Sequence, residues 1–229
     1  FLGSCAALAT TAWTLARLPF CANPESSLAP WSRRVLKHLR IEVDVEGPMP
    51  EGGQLWVSNH LSWLDPLVLL SLRSSRLLAK REVAEYPWIG FGARRAGVHF
   101  VDRRDAGSRA DALWAMRAEL AQGHPFLLFP EGTTTCGEGL ARLYEGGLRL
   151  AYRMDIPVLP LRLHCAQATY PWVGGDDLLS HLSALRRGPS LKVRVRPGTV
   201  LWPRHFPSEQ AWVDRLRADL HPASLQECA

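Results

Sequence analysis

The sequence predicts an α/β fold, in which a largely parallel mixed sheet is flanked by helices. Short apolar runs that are typical of strands alternate with longer runs that are typical of helices, and this alternation indicates a largely parallel sheet. The chain has 229 residues, of which 47% are hydrophobic and 21% charged, an ordinary balance for a globular protein. No linker interrupts the alternation, so we expect one sizeable core.

The expected strands begin at residue 41. Each is a short apolar run, and the last alternates apolar with charged side chains, which predicts one solvent-facing side. The strands are Ile41–Val45, Leu55–Ser58, Arg76–Lys80, Gly97–Val101, Phe126–Phe129, Pro157–Leu163 and Leu191–Val195.

Helices are expected between and after these strands. In one of them Ser108 and Asp111 stand at capping-box spacing, and Gly123 follows the last turn, so the sequence predicts both ends of this helix. The helices are Leu67–Leu72, Ser108–Ala121, Gly146–Met154 and Ser208–Leu220.

The first forty residues predict a helical, membrane-associating segment, ahead of a domain that spans residues 41–229. Residues 1–20 carry a single charge, Arg17, and are long enough to cross a bilayer, but they are weakly hydrophobic, so whether they span the bilayer or lie on it stays open. The basic amphipathic stretch up to Arg40 favours an anionic, cytoplasmic membrane surface. The alternative is a helix docked on its own domain with a solvated basic face. Residue 1 is Phe rather than Met, so whether the N-terminus is complete stays open.

The net charge of +5 and the isoelectric point near 9.2 indicate a basic surface. Such a surface suits an anionic membrane or an acidic ligand, and the nine tryptophans suit a membrane interface as well as a core. No nucleic-acid-binding motif is evident in the sequence, so we expect no nucleic-acid partner. The five scattered cysteines form no CxxC pair. Neither a disulfide framework nor a metal site is therefore expected, and a reducing setting is favoured.

The stretch Asn59–Asp65, which reads NHLSWLD, places an imidazole and a carboxylate five positions apart. In a regular helix these side chains would point about 140° apart, so one of them must lie outside the helix if they are to touch. Pro66 suits a first helical position with Asp65 as the N-cap, whereas Ser62 is an alternative cap that puts Asp65 at the third position. His60, if a carboxylate holds it in one tautomer, can take a proton from a hydroxyl. The plainer interpretation is a capping aspartate beside a solvated histidine.

A second block, Ala96–Asp105 (AGVHFVDRRD), brings Arg103 to the exit of a strand. A guanidinium there is well placed for a phosphate, because its fork matches phosphate oxygens. A surface salt bridge with Asp102 or Asp105 is the alternative.

Two further blocks lie downstream. Phe129–Thr135 (FPEGTTT) ends an apolar strand with Gly132, which permits close backbone approach, and a run of hydroxyl donors. Ile156–Leu161 (IPVLPL) is an apolar strand with two prolines.

Together the four blocks resemble the glycerolipid acyltransferase family, the 1-acylglycerol-3-phosphate O-acyltransferases of phospholipid biosynthesis. The family's blocks N-H-x4-D, G-x-x-F-x-x-R, F-P-E-G-T and V-P-h-h-P stand here as NHLSWLD, GVHFVDR, FPEGT and IPVLP, in the family's order. The segment EYPWIGFGARRAG is similar to the family's lead-in to the second block. The resemblance covers residues 30–200 and implies a membrane-associated acyltransferase whose catalytic domain is residues 41–229.

The resemblance also implies a mechanism. His60, held by Asp65, would act as general base while the hydroxyl of lysophosphatidic acid attacks an acyl thioester (acyl-CoA or acyl carrier protein), giving phosphatidic acid. No cofactor, metal or nucleophilic Ser or Cys is implied, and the chain contains no G-x-S-x-G. The implied substrate-binding residues divide into those that brace the loop (Asn59, Ser62), those that shape the strand before the arginine (Gly97, Phe100) and those that hold the polar head (Arg103, Glu131, Gly132, Thr133).

Two departures from the family pattern bear on the acceptor. Thr134 stands where many members have an arginine, and Tyr144 and Glu145 replace a Phe-Lys pair. Two cations that could pair with a phosphate are therefore absent, which leaves another lysolipid open. The stretch Tyr170–His181 is similar to the branch that includes lyso-ornithine lipid acyltransferases, whose acceptor hydroxyl lies on a hydroxyacyl chain. A non-catalytic lipid-surface binding module and, more weakly, a serine hydrolase also stay open as functions.

Overall fold

The computed structural model of the chain describes residues 27–85, 93–94, 97–173 and 178–221. They belong to two compact units: unit 1 comprises Phe1–Arg40 and Pro66–Leu127, and unit 2 comprises Ile41–Asp65 and Leu128–Ala229. The elements, in chain order, are α1 (Leu28–His38), β1 (Ile41–Val45), β2 (Leu55–Ser58), α2 (Asp65–Leu72), β3 (Arg76–Lys80), a 3-10 helix (Arg81–Glu85), β4 (Val98–Val101), α3 (Ala106–Ala121), β5 (Phe126–Leu128), α4 (Gly146–Arg153), β6 (Val158–His164), α5 (Leu178–Arg187), β7 (Leu191–Pro197), a second 3-10 helix (Pro203–His205) and α6 (Glu209–Leu220). The predicted strands are thus confirmed, and their observed ends differ from the predicted ones by one or two residues.

In unit 1, β3 pairs in parallel with β4 on one side and with β5 on the other. Leu77 in the central strand is opposite Val98 and Leu127, and its side chain is buried. Parallel strands need a crossover connection, and α3 provides the one that leads from β4 to β5. This confirms the prediction of parallel strands connected by helices.

The start of α3 differs from the predicted one. The helix begins at Ala106, and its N-cap is Asp105, whose carboxylate accepts a hydrogen bond from the N–H of Ser108 at 2.7 Å. The hydroxyl of Ser108 instead accepts one from the N–H of Asp102 at 2.9 Å. The predicted cap at Ser108 was therefore wrong, because an equally good capping residue stands three positions earlier. Gly123 does follow the helix, with a φ of 80°.

In unit 2, four strands stand in the order β1-β7-β6-β2. The β1–β7 and β2–β6 pairs are parallel and the β6–β7 pair is antiparallel, so this sheet is mixed. In β7, Val193 and Val195 are buried while Lys192 and Arg194 are exposed, which confirms the predicted solvent-facing side. Because β2 and β6 are parallel, their carboxyl ends lie at one edge of the sheet, where α/β proteins commonly place their sites.

The helix α1 is docked within unit 1. Val35 and Leu36 are buried and Lys37 is exposed, while the guanidinium of Arg33 donates a hydrogen bond to the carbonyl of Ser71 at 2.7 Å. The helix is therefore bonded to unit 1, buries its apolar side and leaves a basic side exposed. Contact of that basic side with a membrane stays a prediction.

Two sequence predictions fall outside the described residues. They are the membrane-associating helix over residues 1–20 and most of the lead-in to the second block, residues 86–92. In the parts of the chain that the structure does describe, none of the helices has the length and apolar character needed to cross a membrane. The proposed domain boundary between residues 40 and 41 stays a prediction.

Candidate active site

The loop Asn59–Asp65 leaves the buried strand β2 at its carboxyl end and leads into α2. The side-chain amide of Asn59 donates to the carbonyl of Leu163 at 3.1 Å and accepts from the N–H of the same residue at 2.7 Å. This side chain thereby continues the pairing of β2 with β6 for one more residue. These bonds agree with the expected bracing of the loop by Asn59, and its part in substrate binding stays a prediction.

The predicted contact between His60 and Asp65 is present. The Nδ1 atom of the imidazole lies 2.8 Å from Oδ2 of the carboxylate. The same oxygen accepts hydrogen bonds from the N–H groups of Leu61 and Ser62, at 2.5 and 2.9 Å. The carboxylate is fully buried, and a buried anion of this kind needs several donors to replace its lost hydration.

The capping geometry explains how residues five positions apart can touch. The hydroxyl of Ser62 accepts from the N–H of Leu64 at 3.4 Å, while Asp65 accepts from the N–H of Ser62. This reciprocal pair is similar to a capping box, except that the hydroxyl meets the N–H of Leu64 rather than that of Asp65, so Ser62 is the predicted cap that agrees better with the structure. Because regular helix begins only at Asp65, the preceding loop can fold back and bring His60 over the carboxylate.

The imidazole of His60 is not wholly buried. The ring of His60 stacks on that of Phe129, with centroids 4.3 Å apart and planes inclined by 24°, and its side chain is 15% exposed. When Nδ1–H donates to Asp65, Nε2 of the neutral ring carries a lone pair. Within the described residues no hydrogen-bond partner meets Nε2. This nitrogen can therefore accept a proton from a bound hydroxyl.

The third block holds His60 by its backbone. Glu131 accepts a hydrogen bond from the N–H of His60 at 2.8 Å and another from the N–H of Ala141 at 2.9 Å. Burial raises the pKa of the Glu131 carboxyl, and the two backbone hydrogen bonds oppose that rise. The sequence predicted that Glu131 contacts the acceptor, but the residue is only 1% exposed. The geometry instead favours a role in positioning the histidine.

The rest of the third block completes this attachment. Gly132 turns the chain with a φ of 66°, a conformation that favours glycine. The N–H of Thr135 donates to the carbonyl of His60 at 2.8 Å, so both backbone groups of the histidine are bonded to this block. Thr133 is exposed, and its predicted contact with the acceptor stays a prediction.

The second block lies in unit 1. Gly97 precedes β4 with a φ of 80°, and a Cβ there would come within 2.8 Å of Nη1 of Arg76. Phe100 lies in β4 with the guanidinium of Arg94 over its ring, 5.3 Å from the centroid. Arg103 follows the strand, in the turn before α3. Its position at a strand exit is therefore as predicted, and its contact with a phosphate stays a prediction.

Tyr170 is a residue of the site that sequence reasoning missed. Its hydroxyl donates to Oδ1 of Asp65 at 2.6 Å, and its side chain is fully buried. The sequence used Tyr170 only as part of a branch-specific stretch, because no spacing rule connects position 170 with position 65. One feature of the sequence could have indicated this contact: Tyr170 follows β6, the strand that pairs with β2.

Glu145 stands where the family pattern has a lysine, and its carboxylate has hydrogen-bond partners of its own. Glu145 accepts from Arg149 at 2.9 Å and from Arg217 at 3.3 Å. The ion pairs here are therefore internal to unit 2. In the described ranges of the chain, no three His, Cys, Asp or Glu side chains are grouped so that they could hold a metal ion.

A buried carboxylate behind an imidazole, placed where a strand turns into a helix in an α/β protein, is an arrangement that can serve general-base chemistry. The family model that matches residues 40–164 is described as Acyltransferase. The chain belongs to this acyltransferase family.

Individual relatives agree with this assignment. The chain is 36% identical over 171 residues to the lyso-ornithine lipid O-acyltransferase of Pseudomonas aeruginosa, covering 72% of this chain and 66% of that protein. It is 34% identical over 173 residues to the 1-acyl-sn-glycerol-3-phosphate acyltransferase of Neisseria meningitidis, covering 71% and 67%. The chain thus spans about two thirds of the length of these two relatives.

A solved structure supports the fold. The crystal structure of the 1-acyl-sn-glycerophosphate acyltransferase PlsC from Thermotoga maritima superposes with a TM-score of 0.71 at 20% identity, covering 95% of this chain and 89% of that chain. This similarity confirms the α/β fold with a mostly parallel mixed sheet.

Proposed function

We propose that the chain transfers a fatty acyl group from an acyl thioester to the free hydroxyl of a lysolipid. The observation that carries this proposal is the 2.8 Å contact between His60 and the buried Asp65, which leaves Nε2 directed away from the carboxylate. Family membership and the names of the relatives support the same reaction class.

The chemistry needs no covalent enzyme intermediate. Nε2 of His60 takes the proton of the acceptor hydroxyl as its oxygen bonds to the thioester carbonyl carbon. Asp65 stabilises the imidazolium that forms. The tetrahedral intermediate then collapses, the C–S bond breaks, and the departing thiolate takes the proton from Nε2. One ester and one thiol are formed, and the histidine is neutral again.

The nearby thiol is a poor candidate for a nucleophile. Burial raises the pKa of the Cys165 thiol, which disfavours the reactive thiolate. The thiol also lies 3.0 Å from Oε1 of Gln167, to which it donates. Direct attack by the lipid hydroxyl is therefore the simpler route.

The acceptor follows from the charges at three positions. Arg103 supports lysophosphatidic acid, because a guanidinium at a strand exit suits a phosphate. Thr134 and Glu145 stand where the family pattern has two more cations, and Glu145 is already paired with Arg149. A phosphate would therefore meet less positive charge than the family pattern provides. We propose lyso-ornithine lipid as the preferred acceptor and lysophosphatidic acid as the second.

The donor and the setting are part of the same proposal. Either acyl-CoA or an acyl carrier protein supplies the thioester, and the basic surface suits an acidic carrier. The acceptors are membrane lipids, and α1 exposes a basic side. We therefore propose that the reaction takes place at the cytoplasmic face of a membrane.

A thiol-release assay tests the proposal. Purified protein is given acyl-CoA or acyl carrier protein together with each lysolipid in detergent micelles, and the lipid product is identified by mass. We expect turnover with both acceptors, faster with lyso-ornithine lipid. His60→Ala should abolish it, whereas the exposed His205 provides a control, His205→Ala, that should not. Absence of turnover with either lysolipid and either donor, or full activity of His60→Ala, would favour a non-catalytic binding module.

A further inference from the structure

Asp65 is held from two directions. Oδ2 faces the imidazole of His60 and two backbone N–H groups of the loop. Oδ1 accepts the hydroxyl of Tyr170 at 2.6 Å. Tyr170 lies beyond residues 40–164, the part of the chain that the family model matches, so this contact comes from a segment outside the matched region.

The phenol can only be the donor in this pair. Burial and the neighbouring charge of Asp65 raise the pKa of Tyr170 well above its ordinary value of 10.0. The hydroxyl therefore keeps its proton at any physiological pH and donates it to the carboxylate. Without this donor, Oδ1 would be a buried acceptor with one partner fewer, and only the donors on Oδ2 would hold the plane of the carboxylate.

The segment that carries Tyr170 is tied to the same loop at two further points. The N–H of Trp172 donates to the carbonyl of Leu61 at 2.9 Å. The indole N–H of Trp63 donates to Nδ1 of His181 at 2.9 Å. The other ring nitrogen of His181 lies 2.9 Å from the carbonyl of Thr169, so the indole is linked back to the segment next to Tyr170.

These ties give the tyrosine a geometric effect on the imidazole. Since the backbone around position 170 is bonded to the loop on both sides, the phenol is fixed relative to Asp65. A fixed partner on Oδ1 sets the plane of the carboxylate, and that plane decides whether the Oδ2 lone pair points at Nδ1. A ring that served only to fill the core would need no hydroxyl at this position.

We propose that Tyr170 is a positioning residue, whose hydroxyl orients the Asp65 carboxylate so that His60 is held as the Nδ1–H tautomer. Tyr170 touches neither substrate in this proposal, and its effect passes through Asp65. The inference rests on the proposed function for its kinetic consequence, but the orientation of the imidazole can be measured independently of turnover.

The kinetic test uses Tyr170→Phe, which keeps the ring and removes only the hydroxyl. We expect kcat to fall about 10- to 100-fold, the range found for partners that orient metal-ligating side chains, with KM for the lysolipid unchanged. Tyr152→Phe, which removes a phenol hydroxyl from α4 in the same unit, is the matched control and should retain wild-type kcat. In an Asp65→Ala background the additional loss on Tyr170→Phe should be less than about twofold, because residues that act as a unit are not additive.

A spectroscopic test reads the histidine directly. Protein with 15N-labelled histidine gives ring nitrogen shifts that distinguish the two tautomers, and the His60→Ala spectrum assigns the His60 signals. At pH 8 we expect His60 to be the Nδ1–H tautomer in the wild type and a mixture in Tyr170→Phe. Wild-type kcat in Tyr170→Phe, or an unchanged tautomer, would overturn the inference while the proposed function stands. If the wild type shows no turnover, the proposed function is wrong. Comparing the His60 tautomer in the wild type and in Tyr170→Phe would still decide the role of Tyr170.

Discussion

Glu131 accepts a hydrogen bond from the backbone N–H of His60 at 2.8 Å. The two residues are 71 positions apart in sequence, and each belongs to a different block of the family pattern. The carboxylate therefore fixes the backbone from which the imidazole projects. The third block thus contributes to the site by holding the backbone of His60, which belongs to the first block.

Glu131→Gln should lower turnover without altering substrate affinity. A glutamine has one acceptor oxygen for two backbone N–H groups, so either His60 or Ala141 loses its partner. We expect kcat to fall about 10- to 100-fold with little change in KM, measured by thiol release at saturating lysolipid. A large rise in KM with unchanged kcat would instead indicate that Glu131 contacts the acceptor.

The same substitution has a predicted pH dependence. Burial raises the pKa of Glu131 above its ordinary value of 4.5, so the fold favours the protonated carboxyl. The stability that this group contributes is complete below pH 4.5 and is lost as the pH rises through the raised pKa. The free energy of unfolding of the wild type minus that of Glu131→Gln should therefore decrease as the pH rises above 4.5, as measured by urea unfolding. A difference in unfolding free energy that increases with pH would contradict this prediction.

The Asp65→Asn variant should carry out the chemical step much more slowly than the wild type. An asparagine can turn its amide N–H groups toward Nδ1, which favours the wrong tautomer of His60. We expect kcat to fall about 10²- to 10⁴-fold at near-normal KM, whereas Asp214→Asn on the exposed side of α6 should match the wild type. Retention of most of the activity would mean that the carboxylate does not set the tautomer.

Arg103→Ala should distinguish the two candidate acceptors. Loss of a charge-assisted contact with phosphate should raise KM for lysophosphatidic acid about 10- to 100-fold, and KM for lyso-ornithine lipid should change much less. Arg104→Ala, at the exposed neighbouring position, is the control. Equal rises for both lipids would show that Arg103 does not recognise a phosphate.

Unit 1 has a polar cluster whose loss should affect stability. Glu119 is 12% exposed and lies 2.7 Å from Arg76, 2.9 Å from His99 and 2.7 Å from His124. Glu119→Gln removes the charge that these partners share, so we expect the free energy of unfolding to decrease by about 1–3 kcal/mol. Glu138→Gln, at an exposed position, should change it by less than about 0.5 kcal/mol. Urea unfolding of both variants gives the comparison.

The sequence predicted the strands well because each is a short apolar run with a clear boundary. Val193 and Val195 alternate with charged residues, and that alternation reports directly which side is buried. The contact between His60 and Asp65 was also predictable, since local capping rules place both residues at one junction.

Other features depend on tertiary structure or on competition between equal signals. Asp105 and Ser108 are both good N-caps, and propensity alone does not rank them. The bond from Tyr170 to Asp65 joins residues 105 positions apart, so it follows only from the pairing of β6 with β2. The buried position of Glu131 also depends on tertiary structure. A Pro-Glu-Gly turn does not indicate which part of the chain its glutamate will bond to.

The loop at the head of α2 is secured at nearly every residue before any lipid arrives. Asn59 is joined to β6, His60 to the Pro-Glu-Gly turn and its following threonines by both its N–H and its C=O, and Leu61 to Trp172. Such a loop has little need to rearrange when substrate binds. On the proposed function, discrimination between acceptor alcohols would therefore depend on how each lipid reaches an imidazole whose backbone is already fixed.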